Sequence, residues 1–390
     1  MIAKDNPVTA RRIAFVTNII PPYRVTFYQK LCRRVPAEWL VIRGRSIVGA
    51  GRTGVDTIAE VPEIVIENHE CRIGPLTLRW QSGALAAVRK FHPELLILLG
   101  ISGTISNWIL LVWAKVNRVP VLMWACGWES QKPNSCAFQL KRFIAVRYFG
   151  AADQLLLYSS KGADYLAQLL GRQSNIDICY NGIEIDALQK TEGSVRARAA
   201  ALRGRCADDT VVILFVGAML EEKRIDLLLM AYENLARAGS NVRLWLVGDG
   251  PERARLERLA ADITIGSVTF YGRIVEQVDE YFAAADIVVL PGLGGLALNQ
   301  AMFWERPCIV SEADGTEDDL IVDGESGLRF APGDEMSLTR ALRALCARSP
   351  NERAAMGRKA RERIEGLSNV NIMVKTFSST IETILHRNRE

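Results

Sequence analysis

The chain has 390 residues, of which 49% are hydrophobic and 24% charged, an ordinary globular balance that excludes a disordered or collagenous protein. At roughly 100–200 residues per domain this length predicts two or three domains, and the net charge of +4 is too weak for a dedicated nucleic-acid binder. The charge is uneven: residues 1–190 carry 23 Lys and Arg against 14 Asp and Glu, and the remaining 200 carry 25 against 30. A basic first half suits an anionic partner, either a phosphorylated acceptor or an acidic membrane surface. A solvated basic face is the alternative.

Met1–Arg12 lacks the apolar run of a secretory leader. Arg12–Thr17 (RIAFVT) is predicted as a strand and Tyr23–Arg34 as a helix. Leu95–Ala114 carries no formal charge and has the length of a membrane span, but Gly100, Ser102, Gly103, Thr104, Ser106 and Asn107 interrupt it. A strand, a turn and a helix fit that stretch better than a span, which needs a predominantly apolar run. Val119–Trp124 and Gln154–Tyr158 are further strands. Ile185–Asp209 is rich in Arg, Ala and acids, and reads as the helical edge of a linker. The alternation then restarts, with strands at Val211–Val216, Val242–Val247, Val268–Tyr271, Ile287–Leu290 and Cys308–Ser311 and helices at Ile225–Arg237 and Pro251–Ala261.

Short apolar strands separated by helices specify βαβ units and parallel sheets. The expected fold is therefore α/β, with two tandem doubly wound Rossmann-like domains facing a cleft and ligands at the carboxyl ends of strands. The predicted domains are residues 1–190 and 191–368. The tail, 369–390, has helical spacing at Met373, Phe377, Ile381 and Ile384. It is either the last helix of the second domain or a helix that crosses back to the first.

Eight cysteines, Cys32, Cys71, Cys126, Cys136, Cys179, Cys206, Cys308 and Cys346, show no CxxC or CxxH pairing. No metal site is written in that spacing, and reduced, buried thiols of a cytoplasmic protein are expected. His69, His92 and His386 are the only histidines and fall in no motif, so structural or surface roles are expected.

Three loops carry chemistry. Phe215-Val216-Gly217 ends a strand, and Lys223-Arg224 follows at a helix start, where glycine admits a ligand to the backbone and lysine neutralises phosphate. Val247-Gly248-Asp249-Gly250-Pro251 ends the next strand, with Pro251 at the first helical position. Pro291-Gly292-Leu293-Gly294-Gly295-Leu296-Ala297 leads from a strand into a helix, and backbone N–H groups at such a terminus bind anions. Gly292 to Ala297 also satisfies G-x-G-x-x-A, with Glu312 twenty residues on. That pattern suggests a nicotinamide cofactor and an oxidoreductase, but the fingerprint belongs to a first βα unit rather than a late one.

The ordered series FVGxxxxxK, GDGPE, VTFYGR, YFAAADIVVLP, GLxxxQAM, PxIV, DGESGL and PGD resembles the second domain of group 1 glycosyltransferases, enzymes of the GT-B fold. The likeness runs from Val211 to Arg363, and Pro21-Pro22-Tyr23-Arg24, Gly127-Trp128-Glu129 and Tyr180-Asn181-Gly182-Ile183 extend it through the first half. It implies transfer of a hexose from a nucleotide sugar, UDP- or GDP-linked, to a glycan or lipid-linked acceptor, with retention and without a metal. It also implies roles: Lys223 with Gly294, Gly295 and Leu296 on the donor diphosphate, and Gly217, Gly248, Gly250 and Arg273 along base and ribose. Tyr23, Arg24, Cys126 and Trp128 are expected at the acceptor, and Glu129 to orient its hydroxyls.

The chain departs from that family's pattern at several positions. The two glutamates usual in the glycine-rich segment are Gly292 and Gln300, and the Arg after FVG is Ala218. Two usual glycines are Arg224 and Glu305, and Cys126 stands where a histidine is common. Arg224 or Arg24 is expected to supply the missing cation. The losses keep open a family member that binds nucleotide or sugar without catalysis. The expected location is the cytoplasm, at the inner membrane face if the acceptor is membrane-borne.

Overall fold

The computed structural model describes residues 11–47, 52–73, 76–127, 136–207 and 209–387. It divides into two compact units, one running to Cys179 and resuming at Val370, the other Tyr180–Asn369.

The strands of the first unit are β1 (Arg11–Thr17), β2 (Ala37–Gly44), β3 (Ser46–Ile47), β4 (Arg52–Thr53), β5 (Glu63–Ile66), β6 (Asn68–Ile73), β7 (Leu76–Gln81), β8 (Leu95–Leu99), β9 (Val121–Ala125), β10 (Gln154–Leu157) and β11 (Ile176–Ile178). Seven form a parallel sheet in the order β11-β10-β9-β8-β1-β2-β5. β9 and β10 are buried at every residue, as strands covered by helices on both faces must be. β3–β4 and β6–β7 are antiparallel ribbons. The periodicity predicts no strand from 37 to 81, because β6 (NHECRI) and β7 (LTLRWQ) mix polar and charged residues into their apolar pattern. On β2 the fully buried Arg43 bonds Glu63 Oε2 at 2.7 Å and the Asp56 carbonyl at 2.7 Å, the pairing that makes a buried charge tolerable.

The tail helix Val370–Arg387 packs in this first unit. Met373, Phe377, Ile381 and Ile384 are its buried stripe. Phe377 meets Phe27 at 5.0 Å and Trp124 at 5.4 Å between ring centroids, and aromatic pairs of this kind are worth about 0.5–1.5 kcal/mol each beyond area burial.

The second unit holds β12 (Val211–Val216), β13 (Val242–Val247), β14 (Ser267–Gly272), β15 (Ile287–Leu290), β16 (Cys308–Ser311) and β17 (Gly327–Phe330). They form a parallel sheet in the order β14-β13-β12-β15-β16-β17. The segment read as the helical edge of a linker is helical, Ile185–Arg203, but it is part of this unit: Val195, Ala199 and Leu202 join its core. The break between units accordingly falls at 179/180 rather than 190/191. Small residues at helical spacing among arginines bury a narrow stripe that composition hides.

Residues 180–183 and 368–369 run side by side within the second unit, bridged at Ile183 and Asn369. Gly182 is required there, since a Cβ would lie 2.3 Å from the Asn369 backbone. Asn299 ties the two segments, donating to the Asn181 carbonyl at 3.0 Å and to Ser368 Oγ at 2.7 Å.

The described cysteines are unpaired, and burial pushes the Cys32 and Cys346 thiols up to about 12. Cys71 is exposed. Among the described residues no helix is long and apolar enough to cross a membrane. Leu95–Leu99 is a strand and Ile105–Val116 a helix, with a turn between.

Candidate functional site

In the second unit the chain builds outward from β12 to β14 and then resumes at β15 on the other side of β12. The loops leaving the carboxyl ends of β12 and β15 therefore diverge, and the crevice at such a switch point is where doubly wound sheets bind ligands. The loop after β12 is 217–224, and the loop after β15 is 291–295, which enters the helix Leu296–Phe303. The two are joined: Leu293 N donates to the Glu222 carbonyl at 3.0 Å. Lys223 Nζ donates to the Gly294 carbonyl at 3.0 Å and to that of Leu293. Gly295, at φ 86°, turns the chain into the helix. A lysine charge beside a helix start is an arrangement that suits an anion.

Glycines let the strand ends close on one another beside this site. A Cβ on Gly248 would lie 1.9 Å from the Gly217 carbonyl oxygen, and one on Gly250 2.4 Å from that of Met219. Met219 N donates to the Asp249 carbonyl at 2.9 Å, and Gly248 N to the Gly272 carbonyl at 2.8 Å. Pro251 is not the first residue of a helix: it sits in a turn, and the helix runs Arg253–Ala261. Lys223 likewise ends a 3-10 turn, and the helix begins at Ile225. Arg273 follows β14 and is exposed.

The departures have structural reasons. A Cβ on Gly292 would lie 2.2 Å from the Glu222 carbonyl oxygen, so no side chain fits while the loops are joined. Gln300 Nε2 donates to Asp279 Oδ1 at 2.8 Å, beside Trp304 Nε1 at 2.6 Å. An ionised carboxylate only accepts, so the amide nitrogen must face Asp279, and the amide oxygen is left as an acceptor. Arg224 at φ 51° and Glu305 at φ 59° adopt the left-handed backbone that favours glycine, at a cost of roughly 1–2 kcal/mol each. Arg224 Nε bonds Asp226 at 3.2 Å, and Glu305 pairs with Arg196 at 3.1 Å and Arg361 at 3.7 Å.

Two carboxylates at this site went unread in the sequence. Asp279 is one. The other is Glu317, only 2% exposed. Its Oε1 is 3.1 Å from where a Cβ on Gly294 would lie, and its Oε2 accepts from Asp314 N at 3.3 Å. Burial, and then the Asp314 charge, push its carboxyl up to about 8. The signal for it was the acidic run Asp314, Glu317, Asp318, Asp319 directly after a strand.

Residues 210–348 match the profile of the family described as glycosyl transferases group 1. Over this segment the chain is similar to the group 1 glycosyltransferases. An uncharacterized glycosyltransferase of Methanocaldococcus jannaschii is 22% identical over 66% of this chain and 65% of its own length. The alpha-D-kanosaminyltransferase of Streptomyces kanamyceticus is 29% identical over 37% of this chain and 39% of its own. A GDP-mannose-dependent phosphatidylinositol dimannoside mannosyltransferase of Mycobacterium tuberculosis is 31% identical over 43% and 44%. The chain thus spans less than two thirds of the length of these relatives. HepE of Anabaena, crystallised with UDP, superposes with a TM-score of 0.74 at 17% identity, over 96% of this chain and 100% of that one. Sucrose-phosphate synthase of Thermosynechococcus elongatus gives 0.71 at 19% identity, over 97% and 100%. The fold is therefore the α/β GT-B fold of these glycosyltransferases, built from two Rossmann-like units.

Within the second unit the G-x-G-x-x-A pattern of Gly292–Ala297 follows β15, not the first strand β12, which is the wrong place for a dinucleotide fingerprint. The expected acceptor residues lie in the first unit. Tyr23 is 57% exposed in the turn Pro22–Arg24 after β1. Arg24 is buried: its guanidinium lies 4.6 Å from the Trp124 ring centroid, and Nη1 is 3.3 Å from Met373 Sδ. Cys126 follows β9, and its carbonyl lies so near Gly162 that a Cβ there would sit 2.3 Å away. Trp128 and Glu129 lie outside the described residues.

Proposed function

We propose that the chain transfers a hexose from a nucleoside diphosphate sugar, UDP- or GDP-linked, to a hydroxyl of a glycan or lipid-linked acceptor. The observation that carries this reading is Lys223, held at the Gly294 carbonyl beside the start of the helix Leu296–Phe303. The donor diphosphate is read as replacing those carbonyls as the partner of the lysine. It would take amides from Gly294, Gly295 and Leu296, with Gly217, Gly248, Gly250 and Arg273 along the nucleoside. Stabilising the departing diphosphate is the main demand of the reaction, and a preorganised cation with oriented amides meets it. A metal is not needed in this reading. Gln300, through its amide oxygen, would accept from sugar or ribose hydroxyls as a glutamate does, though without charge assistance. The transfer is read as retaining. Arg224 is the nearest replacement for the arginine lost at Ala218, whereas Arg24 belongs to the first unit.

The test is a thermal-shift screen with UDP, GDP, dTDP, ADP and NAD, followed by a donor-hydrolysis assay. A ligand at about 100 times its Kd adds about 2.7 kcal/mol, a rise of several degrees for domains of this size. A shift with one nucleoside diphosphate and hydrolysis of its sugar supports the enzyme. The same shift without hydrolysis or transfer favours the binding-only reading suggested by Gly292, Gln300 and Ala218. A shift with NAD alone overturns both.

Membrane contact at the first unit belongs to the same reading. Ile105, Ile109, Val112 and Val116 line one face of the helix Ile105–Val116 at 38%, 46%, 63% and 77% exposure. Leu140 and Phe143 are exposed on the helix Cys136–Gly150, as are Lys141, Arg142 and Arg147. Apolar residues beside cations suit an anionic lipid surface. Flotation with phosphatidylglycerol vesicles is expected to carry the protein and to lose it on Val112→Glu with Val116→Glu. No flotation at low salt rules the contact out.

A further inference from the structure

Gln300 lies one turn beyond the first residue of the helix Leu296–Phe303. Cα–Cβ bonds in a helix tilt toward its N-terminus, so this side chain leans back toward Gly294 and the Lys223 ammonium bonded there. Its amide nitrogen donates to Asp279 Oδ1 at 2.8 Å, and the Trp304 indole donates to the same oxygen at 2.6 Å. Trp304 is fully buried, so the indole fixes the carboxylate from behind. Among the described residues these two neutral N–H groups are the side-chain partners of Asp279, and no cation pairs with it. The neighbouring charges are engaged elsewhere: Glu280 pairs with Arg198 at 2.5 Å, and Arg196 with Glu192 at 2.8 Å and Glu305 at 3.1 Å.

The other end of the amide is open. Gln300 Oε1 has no hydrogen-bond partner among the described residues and reaches solvent. An amide whose N–H is bonded to an anion is polarised, with more negative charge on its oxygen, because hydrogen bonds in a chain strengthen one another. The charge that glutamine lacks therefore stands one hydrogen bond behind it. A glutamate at 300 would set two carboxylates at hydrogen-bond distance, where both cannot stay ionised. Glutamine at 300 and aspartate at 279 thus form one acceptor, with the charge on the inner member.

We infer that Asp279 is a positioning residue for donor recognition: it holds the Gln300 amide with its oxygen outward and charges that oxygen, so that the pair accepts from a hydroxyl of the nucleotide sugar. This rests on the glycosyltransferase reading. It also gives glutamine at 300 a reason that lies in this chain's own aspartate.

The test is calorimetric titration of the full-length protein with UDP, GDP, UDP-glucose and GDP-mannose, repeated on Asp279→Asn, Gln300→Ala and the double variant. Asparagine keeps the shape and an acceptor for the Trp304 indole but not the charge. Removing a negative charge near an anionic ligand tightens binding by charge alone, so weakening is the result that only the polarised pair gives. For the probe the parent binds best, Asp279→Asn is expected to weaken binding about threefold, and to weaken it no further once Gln300 is Ala, as a cycle on one coupled pair requires. Gln300→Glu is expected to weaken binding about tenfold rather than strengthen it, and Asp279→Asn to recover most of that loss. The Gln300→Glu result stands even if Asp279→Asn melts early. Unchanged or tighter binding by Asp279→Asn or by Gln300→Glu overturns the inference. A loss that persists in the Gln300→Ala background also overturns it, since Asp279 then acts through Trp304 packing alone. If a probe binds the parent and either of these results follows, the pair is wrong and the transferase reading stands. If no probe binds the parent, both fall.

Discussion

Replacing Lys223 by Ala is expected to lower sugar transfer and donor hydrolysis by about 10²–10³-fold, the usual loss when one preorganised donor to a developing anion is removed. The lysine charge sits where the loops after β12 and β15 meet, bonded to the carbonyls of Leu293 and Gly294. Exchange of carbonyl partners for phosphate oxygens is favourable, because hydrogen bonds between two charged groups are the stronger ones. A nucleoside without phosphate should bind the variant as well as the parent, since base and ribose are read as lying along Gly217, Gly248 and Arg273. Lys223→Arg should recover part of the activity: the charge is kept, but the planar fork does not reproduce an ammonium's position. Equal transfer by parent and Lys223→Ala would remove the lysine from the mechanism, and an equal loss of nucleoside binding would make it a loop fastener only.

Glu317→Gln is expected to abolish a fall in stability that the parent shows between about pH 4.5 and 8. The Glu317 carboxyl is raised from 4.5 to about 8, first by burial and then by the Asp314 charge. The folded state therefore holds this proton more tightly than the unfolded state. The stability it contributes is complete below the unfolded value and is lost as pH rises toward 8, at up to roughly 1.4 kcal/mol per pH unit. Glutamine keeps the shape and carries no proton to lose. Melting curves at pH 5, 6, 7 and 8 should diverge steadily, with the variant the more stable at the alkaline end. Parallel curves would mean that Glu317 is ionised throughout. Because Glu317 Oε1 lies against Gly294, its ionisation places a negative charge at the anion site. Diphosphate affinity in the parent should therefore weaken over the alkaline part of the same window, and less so in the variant.

What the sequence by itself determined is local. Runs such as VVILFV and LLILL, four to six residues long and bounded by glycines or polar turns, admit a parallel strand and little else. Their alternation with helical spacing set the doubly wound architecture, and glycines at strand ends marked loops that close on one another. The tertiary structure decided what depends on residues distant in the chain. Gly292 has no glutamate because the Glu222 carbonyl passes 2.2 Å from where its Cβ would be. Gln300 offers its oxygen because Asp279, on another helix, holds its nitrogen. The tail helix joins the first unit because Phe377 meets Phe27 and Trp124, which lie hundreds of residues earlier. His69 and Trp80 form one aromatic surface only because β6 and β7 pair in antiparallel register. Periodicity reports which face of an element is buried, but it carries no information about which distant element will cover that face.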